Sequence, residues 1–541
     1  MASIRSLTIF IGLLTQTVPT VVYAQWQVYV TRSLETLIER GADVYGPVSS
    51  PMLMSVIDVR TLTSPEQPEV LDSLIRLEGR IHRRGERGSN LWHDQPTLRS
   101  MYRASEVTGN SKYAEAADAY IRFALANCRK SNGMLVWGSH IYWDCFLDRA
   151  GGDRDGTGPH EILVHQCSWE NLYRINPEAV RREIDLIWKW HVHDHATGRH
   201  NRHDDAQPGA DFPFSGGSFI EAFAFLHSVI PNDSENLTRA KLVADWHWRH
   251  RNPDTNLVAF QPGNMLHEFE PYQFYGSTFT SAITGPHAAR LLHSYELTGD
   301  EHFRNAATSY LLAYDKHGWI EDAQTFVGML NLDGTVTTAY DAPADYHSQL
   351  PGQSQEPDPG YSVPPIGPVD IWLTTIFPLD FPLLTAQSSI YAYELTPEED
   401  AETRQALLTM ARHWATVIEA AMPPETGRTF RKTLEKALPD SHDIGGTYAA
   451  NYGRAISFLV HLHRATEDTK YLKLAETLAK DAVDKLYVTT EMASEEGQRK
   501  SYGIFKGHPA KPYYESVDGV GFLLFSLLEL SAPADNLGGA F

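Results

Sequence analysis

Thr298-Gly299-Asp300-Glu301-His302-Phe303, followed by Ala306-Ala307, decides how this chain folds, because the pattern is written three times. Thr108-Gly109-Asn110-Ser111-Lys112-Tyr113 leads to Ala116-Ala117, and Thr466-Glu467-Asp468-Thr469-Lys470-Tyr471 leads to Leu474-Ala475. Each copy stands between an apolar helix before it and an apolar-periodic helix after it. The Thr/Gly/Asp turn ends the first helix and caps the second. The aromatic residue and the small residues after it fall at helical spacing, so they pack the pair together. Helical hairpins that recur along a chain build a solenoid, or a toroid when they close. Further helices are expected near Ser33–Arg40 and over 68–83, 96–107, 177–195, 217–229, 236–249, 399–421, 446–464 and 516–531. Strand signals are few and short. The expected class is all-α, an (α/α) toroid or barrel of hairpins.

The chain has 541 residues, of which 42% are hydrophobic and 11% aromatic, a globular rather than a disordered composition. A net charge of −22 argues against nucleic acid and against an anionic membrane surface as partners. An acidic substrate stays possible if positive charge is supplied locally. Residues 1–24 read as a secretory signal: Arg5, the apolar run Leu7 to Leu14, then Val22-Tyr23-Ala24 before Gln25. The run is too short to span a bilayer. Residues 25–541 then form one domain, secreted or periplasmic. Cys128, Cys145 and Cys167 make no disulfide framework; one pair could form and at least one thiol stays free.

Two regions interrupt the helices. Residues 340–380 are rich in proline and glycine, and so long a loop is usually functional. Residues 133–165 carry Gly-rich turns and begin a stretch, Trp137 to His203, crowded with imidazoles, carboxylates and arginines. Its candidate ligands are His140, His160, Glu161, His165, His191, His193, His195, His200 and His203. Imidazole nitrogen with carboxylate oxygen suits a divalent Mn, Fe, Co, Ni or Zn ion, whereas calcium and magnesium prefer oxygen alone. Composition does not choose among these residues.

Gly138-Ser139-His140, Pro159-His160-Glu161-Ile162-Leu163 and Asn201-Arg202-His203 resemble, in that order, the metal-site blocks of polysaccharide lyase family 2, the pectate lyases. Asn176-Pro177-Glu178-Ala179 and Ile187-Trp188-Lys189-Trp190-His191-Val192 are similar to that family too. The resemblance implies a toroid of about seven hairpins. It implies one divalent transition metal, manganese first and Ni, Co, Fe or Zn otherwise, held by His140, Glu161 and His203, with Arg202 as the base. The reaction implied is β-elimination on an acidic polysaccharide, polygalacturonate above all, leaving 4,5-unsaturated products. Physics alone gives Arg202 a carboxylate-binding role more readily, since a guanidinium is normally always protonated.

Substrate-binding candidates come from loops at helix starts: Tyr272, Tyr452, Arg454, Lys511, Tyr513 and Tyr514, with Tyr275, His93 and Asp94 beside them. Aromatic faces suit sugar rings, and Arg or Lys suits uronate carboxylates. Ordinary capping and packing explain each of them equally well. A glycoside hydrolase on the same architecture would need a carboxylate pair, for which Asp94, Asp144, Asp148, Asp155 and Asp211 are available at no favoured spacing. A secreted glycan-binding protein would need neither metal nor acid.

Overall fold

The computed structural model describes residues 24–69, 85–162, 166–230, 232, 234–259, 262, 277–279, 284–337, 367–372, 381–425, 446–493 and 498–533. Within these, the three repeated turns have one geometry. Thr108, Thr298 and Thr466 each donate a hydroxyl hydrogen bond to the carbonyl four residues back and accept from the N–H two residues on. Gly109, Gly299 and Glu467 follow at φ 69°, 70° and 57°, each returning its N–H to the helix just ended. Left-handed backbone closes the last turn of a helix, and only glycine adopts it freely. Asp300 and Asp468 then cap the next helix, accepting from His302 N and Lys470 N at 3.0 and 2.9 Å. Tyr113, Phe303 and Tyr471 are buried just inside it.

Fourteen described helices pair in this way. The hairpins are α2 (Leu91–Thr108) with α3 (Lys112–Asn127), α4 (Trp169–Ile175) with α5 (Pro177–His191), and α6 (Pro213–Val229) with α7 (Ser234–Arg249). They continue with α8 (Gly285–Thr298) and α9 (Glu301–Gly318), α10 (Phe381–Leu395) and α11 (Ala401–Ala420), and α12 (Ala449–Thr466) and α13 (Thr469–Leu486). The last helix, α14 (Val520–Ser531), packs against the first, α1 (Ala24–Arg40). The described residues therefore hold seven helix pairs, as the resemblance implied.

One helix of each pair lies inside the ring. The inner ones are apolar nearly all round: every residue of α6 from Pro213 to Leu226 is buried, and every residue of α12 from Ala449 to Leu462. The outer ones bury one stripe. On α5 it is Ala179, Val180, Glu183, Ile184, Ile187 and His191, at three- and four-residue intervals, with charged residues on the other face. Each inner aliphatic side chain removed from water stabilises the ring by about 1.5–3 kcal/mol. The inner helices α14, α12, α10, α8, α6 and α4 pack in succession, and α14 also packs on α2. Aromatic rings join α2 to α4: Trp92, Trp137 and Trp169 meet edge to face at 5.3 and 5.8 Å. Gln95 on α2 also accepts the Ser168 N–H at 3.1 Å. The ring is closed, an (α/α) toroid.

Several boundaries differ from the sequence reading. α1 begins at Ala24, nine residues before Ser33; residues 1–23 lie outside the described set, as does nearly all of the helix expected over 68–83. α2 begins at Leu91, capped by Asn90, and carries Pro96 inside it, which has no N–H to give the Trp92 carbonyl one turn earlier. α5 stops at His191 rather than 195, because Val192–Asp194 pairs with Arg199–His200 across a turn at Gly198. The longest hairpin, Tyr487–Ala493 against Arg499–Phe505, was not foreseen. All three cysteines are buried free thiols. Most of the 340–380 loop lies outside the described residues.

Candidate metal centre

The loops after α3 and α5 lead into the starts of the inner helices α4 and α6, so both lie at the same end of the ring. The first is tied down by Asn90, which caps α2 and also donates to the Gly138 carbonyl at 2.7 Å and accepts from its N–H at 3.1 Å. Gly138, at φ 106°, makes a parallel bridge to Glu161, and Ser139 N donates to the Glu161 carbonyl at 2.9 Å. A Cβ on Gly138 would stand 2.2 Å from that carbonyl oxygen. Both the conformation and the approach therefore require glycine. The bridge brings His140 and Glu161 to one place. The second loop, through Asn201, Arg202 and His203, closes over them.

His140, Glu161 and His203 converge, with one donor atom from each lying within 4.8 Å of the others, an arrangement able to hold a metal ion. His140 Nε2 is 2.7 Å from Glu161 Oε2, and His203 Nε2 is 3.9 Å from Glu161 Oε1. The two rings stand edge to face at 5.3 Å. Arg202 Nε is 3.4 Å from Glu161 Oε1, and its guanidinium lies over the Phe212 ring at 4.9 Å. His140 Nδ1 meets Asp153 Oδ2 at 2.8 Å. A carboxylate there accepts a hydrogen bond from Nδ1–H and orients the ring, so that Nε2 is the atom that would meet a metal.

The donor set has been left open. His140 Nε2 has only Glu161 Oε2 beside it, at 2.7 Å, and Glu161 Oε1 and His203 Nε2 are buried without a hydrogen-bond partner. Buried polar atoms are nearly always paired, so two facing orphans from carboxylate and imidazole, next to the His140–Glu161 contact, fit a shared cation. Burial opposes charge on Glu161, but His140 and Arg202 outweigh it and hold the carboxyl well below the usual carboxylate range. On His140 the lowering by burial is overcome by Glu161 and Asp153, and its pKa is raised. His203 is pushed down to about 3, by burial first and then by Arg202. Its ring is therefore neutral at neutral pH. A groove of about 400 Å³, lined by Arg87, Tyr142, Asp153 and Arg154 among others, adjoins the cluster through Asp153.

The other candidates fall elsewhere. His160 and His191 are buried behind the cluster and hydrogen-bonded to each other at 2.8 Å. His200 is buried against His247, and His195 stacks on Trp188 at the surface; His193 sits half-buried on the short strand Val192–Asp194. His165, Tyr272 and Tyr275 lie outside the described residues. The substrate-binding expectation is corrected for the buried set. Tyr452 donates to Asp481 at 2.5 Å, tying α12 to α13. Arg454 bonds Gln387 at 3.0 Å inside the ring and lies over Phe522. Lys511 is enclosed between Glu515 and Asp518, at 2.7 and 2.8 Å. The Tyr513 hydroxyl accepts from Glu69 N, and that of Tyr514 meets Thr97. Polar groups at these depths must be satisfied internally, and these are. His93 and Asp94 lie inside α2; Asp94 accepts from Tyr120 at 2.6 Å, and burial pushes its pKa up to about 7.

Asp153, Lys130, Asn132 and Asp204 were missed. Asp204 Oδ2 receives Lys130 at 2.6 Å and Asn132 at 2.7 Å, while its Oδ1 takes the His160 N–H at 2.7 Å. The only sequence signal was adjacency to glycine turns and to His203.

Known proteins point the same way. A family model described as periplasmic pectate lyase matches residues 81–271, the segment holding all four residues. That segment is thus similar to the pectate lyases over about a third of the chain. A pectate disaccharide-lyase from Dickeya dadantii (strain 3937) is 25% identical over 273 residues, 45% of this chain and 47% of that one. The chain thus spans about half the length of that curated relative. Solved structures cover more of the chain at lower similarity. A family 105 glycoside hydrolase of C. acetobutylicum ATCC 824 covers 81% of this chain and 93% of its own, at 9% identity and a TM-score of 0.41. A sugar epimerase from a ruminal bacterium covers 75% and 95%, at 10% and 0.43. Scores this low carry no argument about the site. No described helix is long and apolar enough to cross a membrane.

Proposed function

We propose that this protein is a metal-dependent polysaccharide lyase that cleaves a uronic-acid polymer, polygalacturonate first, by β-elimination in the periplasm or outside the cell. The observation that carries the reading is the convergence of one donor atom each from His140, Glu161 and His203 beside Arg202. A uronate has an acidic proton at C5, next to its carboxylate, and a glycosidic oxygen at C4 that departs as the C4=C5 bond forms. A divalent ion on His140, Glu161 and His203, manganese before Ni, Co, Fe or Zn, would act as a Lewis acid toward the substrate carboxylate. Arg202 is placed to meet that carboxylate and the C5 proton. Its cationic form clamps the carboxylate. As the base that the family resemblance implies, Arg202 would take the C5 proton.

The five carboxylates a hydrolase could have used are engaged elsewhere: Asp94 with Tyr120, Asp144 with Arg87, Asp148 with Val48 N, Asp155 with Arg149 and Asp211 with Trp246. The test is the ultraviolet absorbance of unsaturated product on polygalacturonate, with metal content measured on the same preparation. Arg202→Ala should lose ~10²–10⁴-fold in turnover, the range of general-base loss, while keeping its metal. Reducing ends without the absorbance would mean hydrolysis and sink the proposal. Near-normal turnover by Arg202→Ala at full metal occupancy would remove Arg202 from the chemistry.

A further inference from the structure

Behind the metal centre lies a chain of hydrogen bonds whose direction is fully determined. The Trp137 indole N–H, which can only donate, reaches His160 Nε2 at 2.5 Å. His160 Nε2 is therefore an acceptor, and the ring proton sits on Nδ1. That proton points at His191 Nε2, 2.8 Å away, so His191 in turn carries its proton on Nδ1. His191 Nδ1 donates to the Asn201 carbonyl at 3.0 Å. Glu183 Oε1, 3.4 Å from His160 Nε2, gets no hydrogen bond there, since that nitrogen is occupied by the indole; its Oε2 accepts the Leu135 N–H at 2.9 Å. Both imidazoles are fully buried, and neither reaches the cleft. They cannot exchange protons with a substrate.

What they join is informative. His160 precedes Glu161, and Asn201 precedes Arg202 and His203. The side chain of His160 thus holds position 201 through His191, while its backbone N–H holds position 204 through Asp204. One residue grips the Arg202–His203 loop at both ends. Asn201 completes the turn by accepting the His203 N–H at 3.1 Å.

We infer that His191 is a positioning residue for the metal centre: with His160 it sets the register between Glu161 and the Arg202–His203 loop. The inference rests on the metal reading above. Partners behind the ligands typically alter metal affinity 10–100-fold when removed. His191→Phe keeps the ring and loses both hydrogen bonds. His191→Asn restores a donor where Nδ1 stood, and His191→Gln restores only an acceptor where Nε2 stood.

The experiment is calorimetric Mn(II) titration of the whole chain, together with the visible spectrum of the Co(II)-loaded protein, which reports ligand geometry, and melting curves for folding. His191→Phe should bind Mn(II) ~10–100-fold more weakly and show an altered Co(II) spectrum. His191→Asn should recover more affinity than His191→Gln. Should His191→Phe not fold, the Asn and Gln pair still decides, since equal affinity in those two would mean the bond to Asn201 does not matter. Wild-type uptake of metal with an indifferent His191→Phe overturns this inference alone. A wild-type chain that takes up neither ion overturns the metal reading, and this inference with it.

Discussion

Two of the described histidine–carboxylate clusters, one between the inner helices and one in the loops at the end of the ring, are built on opposite plans. At His461 on α12, Nδ1 donates to Glu394 of α10 at 2.8 Å and Nε2 donates to Glu529 of α14 at 3.1 Å. Burial works against charge on that ring, but Glu394 and then Glu529 outweigh it and push its pKa up to about 9. The result is a buried cation with both protons spent, riveting three inner helices. At the candidate metal centre His140 has Asp153 on one nitrogen and Glu161 on the other, while His203 stays neutral and its Nε2 has no hydrogen-bond partner. The same residue types thus serve structure when every donor is used. They are available to a ligand when facing atoms are left without partners.

The sharpest way to break this contrast is Glu161→Gln. If the centre exists for a ligand, metal affinity should drop by more than the ~100-fold that outer-shell changes reach. The stabilisation that bound metal adds, about 2.7 kcal/mol at a hundredfold excess over Kd, should vanish from the melting curve. An unchanged metal-dependent shift would show that the three atoms are not ligands. The corresponding change at the other cluster, His461→Gln, should leave metal binding alone and cost roughly 3–5 kcal/mol of stability, the scale for breaking a buried ion pair. The pH dependence gives its signature. With the folded pKa raised to about 9 and an unfolded value near 6.5, the stabilisation is complete below about 6.5 and is lost as pH rises through about 9. Denaturant melts of wild type and variant should converge at high pH, and a constant gap would refute the charged assignment.

The smallest effect probes the turns. Glu467 holds the left-handed conformation that Gly109 and Gly299 adopt in the other two copies. A left-handed non-glycine residue costs roughly 1–2 kcal/mol, offset in part by the flexibility glycine adds to the unfolded chain. Glu467→Gly should therefore stabilise by about 0.5–1 kcal/mol, read as a higher denaturant midpoint. Destabilisation would mean the Glu467 side chain does something the turn geometry does not require.

What was legible in the sequence was what depends on near neighbours. The Thr–Gly–Asp turns encode their own caps, so the hairpins and their order could be read. His140, Glu161, Arg202 and His203 could be named because their flanking blocks resemble a known family, and the structure brings them together. The end of α5 was not legible, since it depends on Val192–Asp194 finding Arg199–His200 across the Gly198 turn. Lys511 looked like a cation for a substrate because its partners, Glu515 and Asp518, show no burial in one dimension. Asp153 and Asp204 act on residues 13 and 44 positions away, a pairing no local pattern announces.

The meeting of α1 with α14 has a kinetic side. Nearly every hairpin forms between helices adjacent in sequence, but the seam joins α1 to the C-terminal part of the chain, as where Thr36 meets Gly503 of the strand Arg499–Phe505, 467 positions away. Closing a loop costs only about 0.6 kcal/mol more for each doubling of its length. The seam is therefore about 1.2 kcal/mol more expensive than a closure a quarter as long. Its delay comes from order rather than from cost: the surfaces that α1 and α14 bury on each other and on α2 and α12 come into register only once the intervening hairpins stand in an arc. The toroid is thus a zipper with its clasp at the two ends, assembled from local steps and made cooperative by the last one.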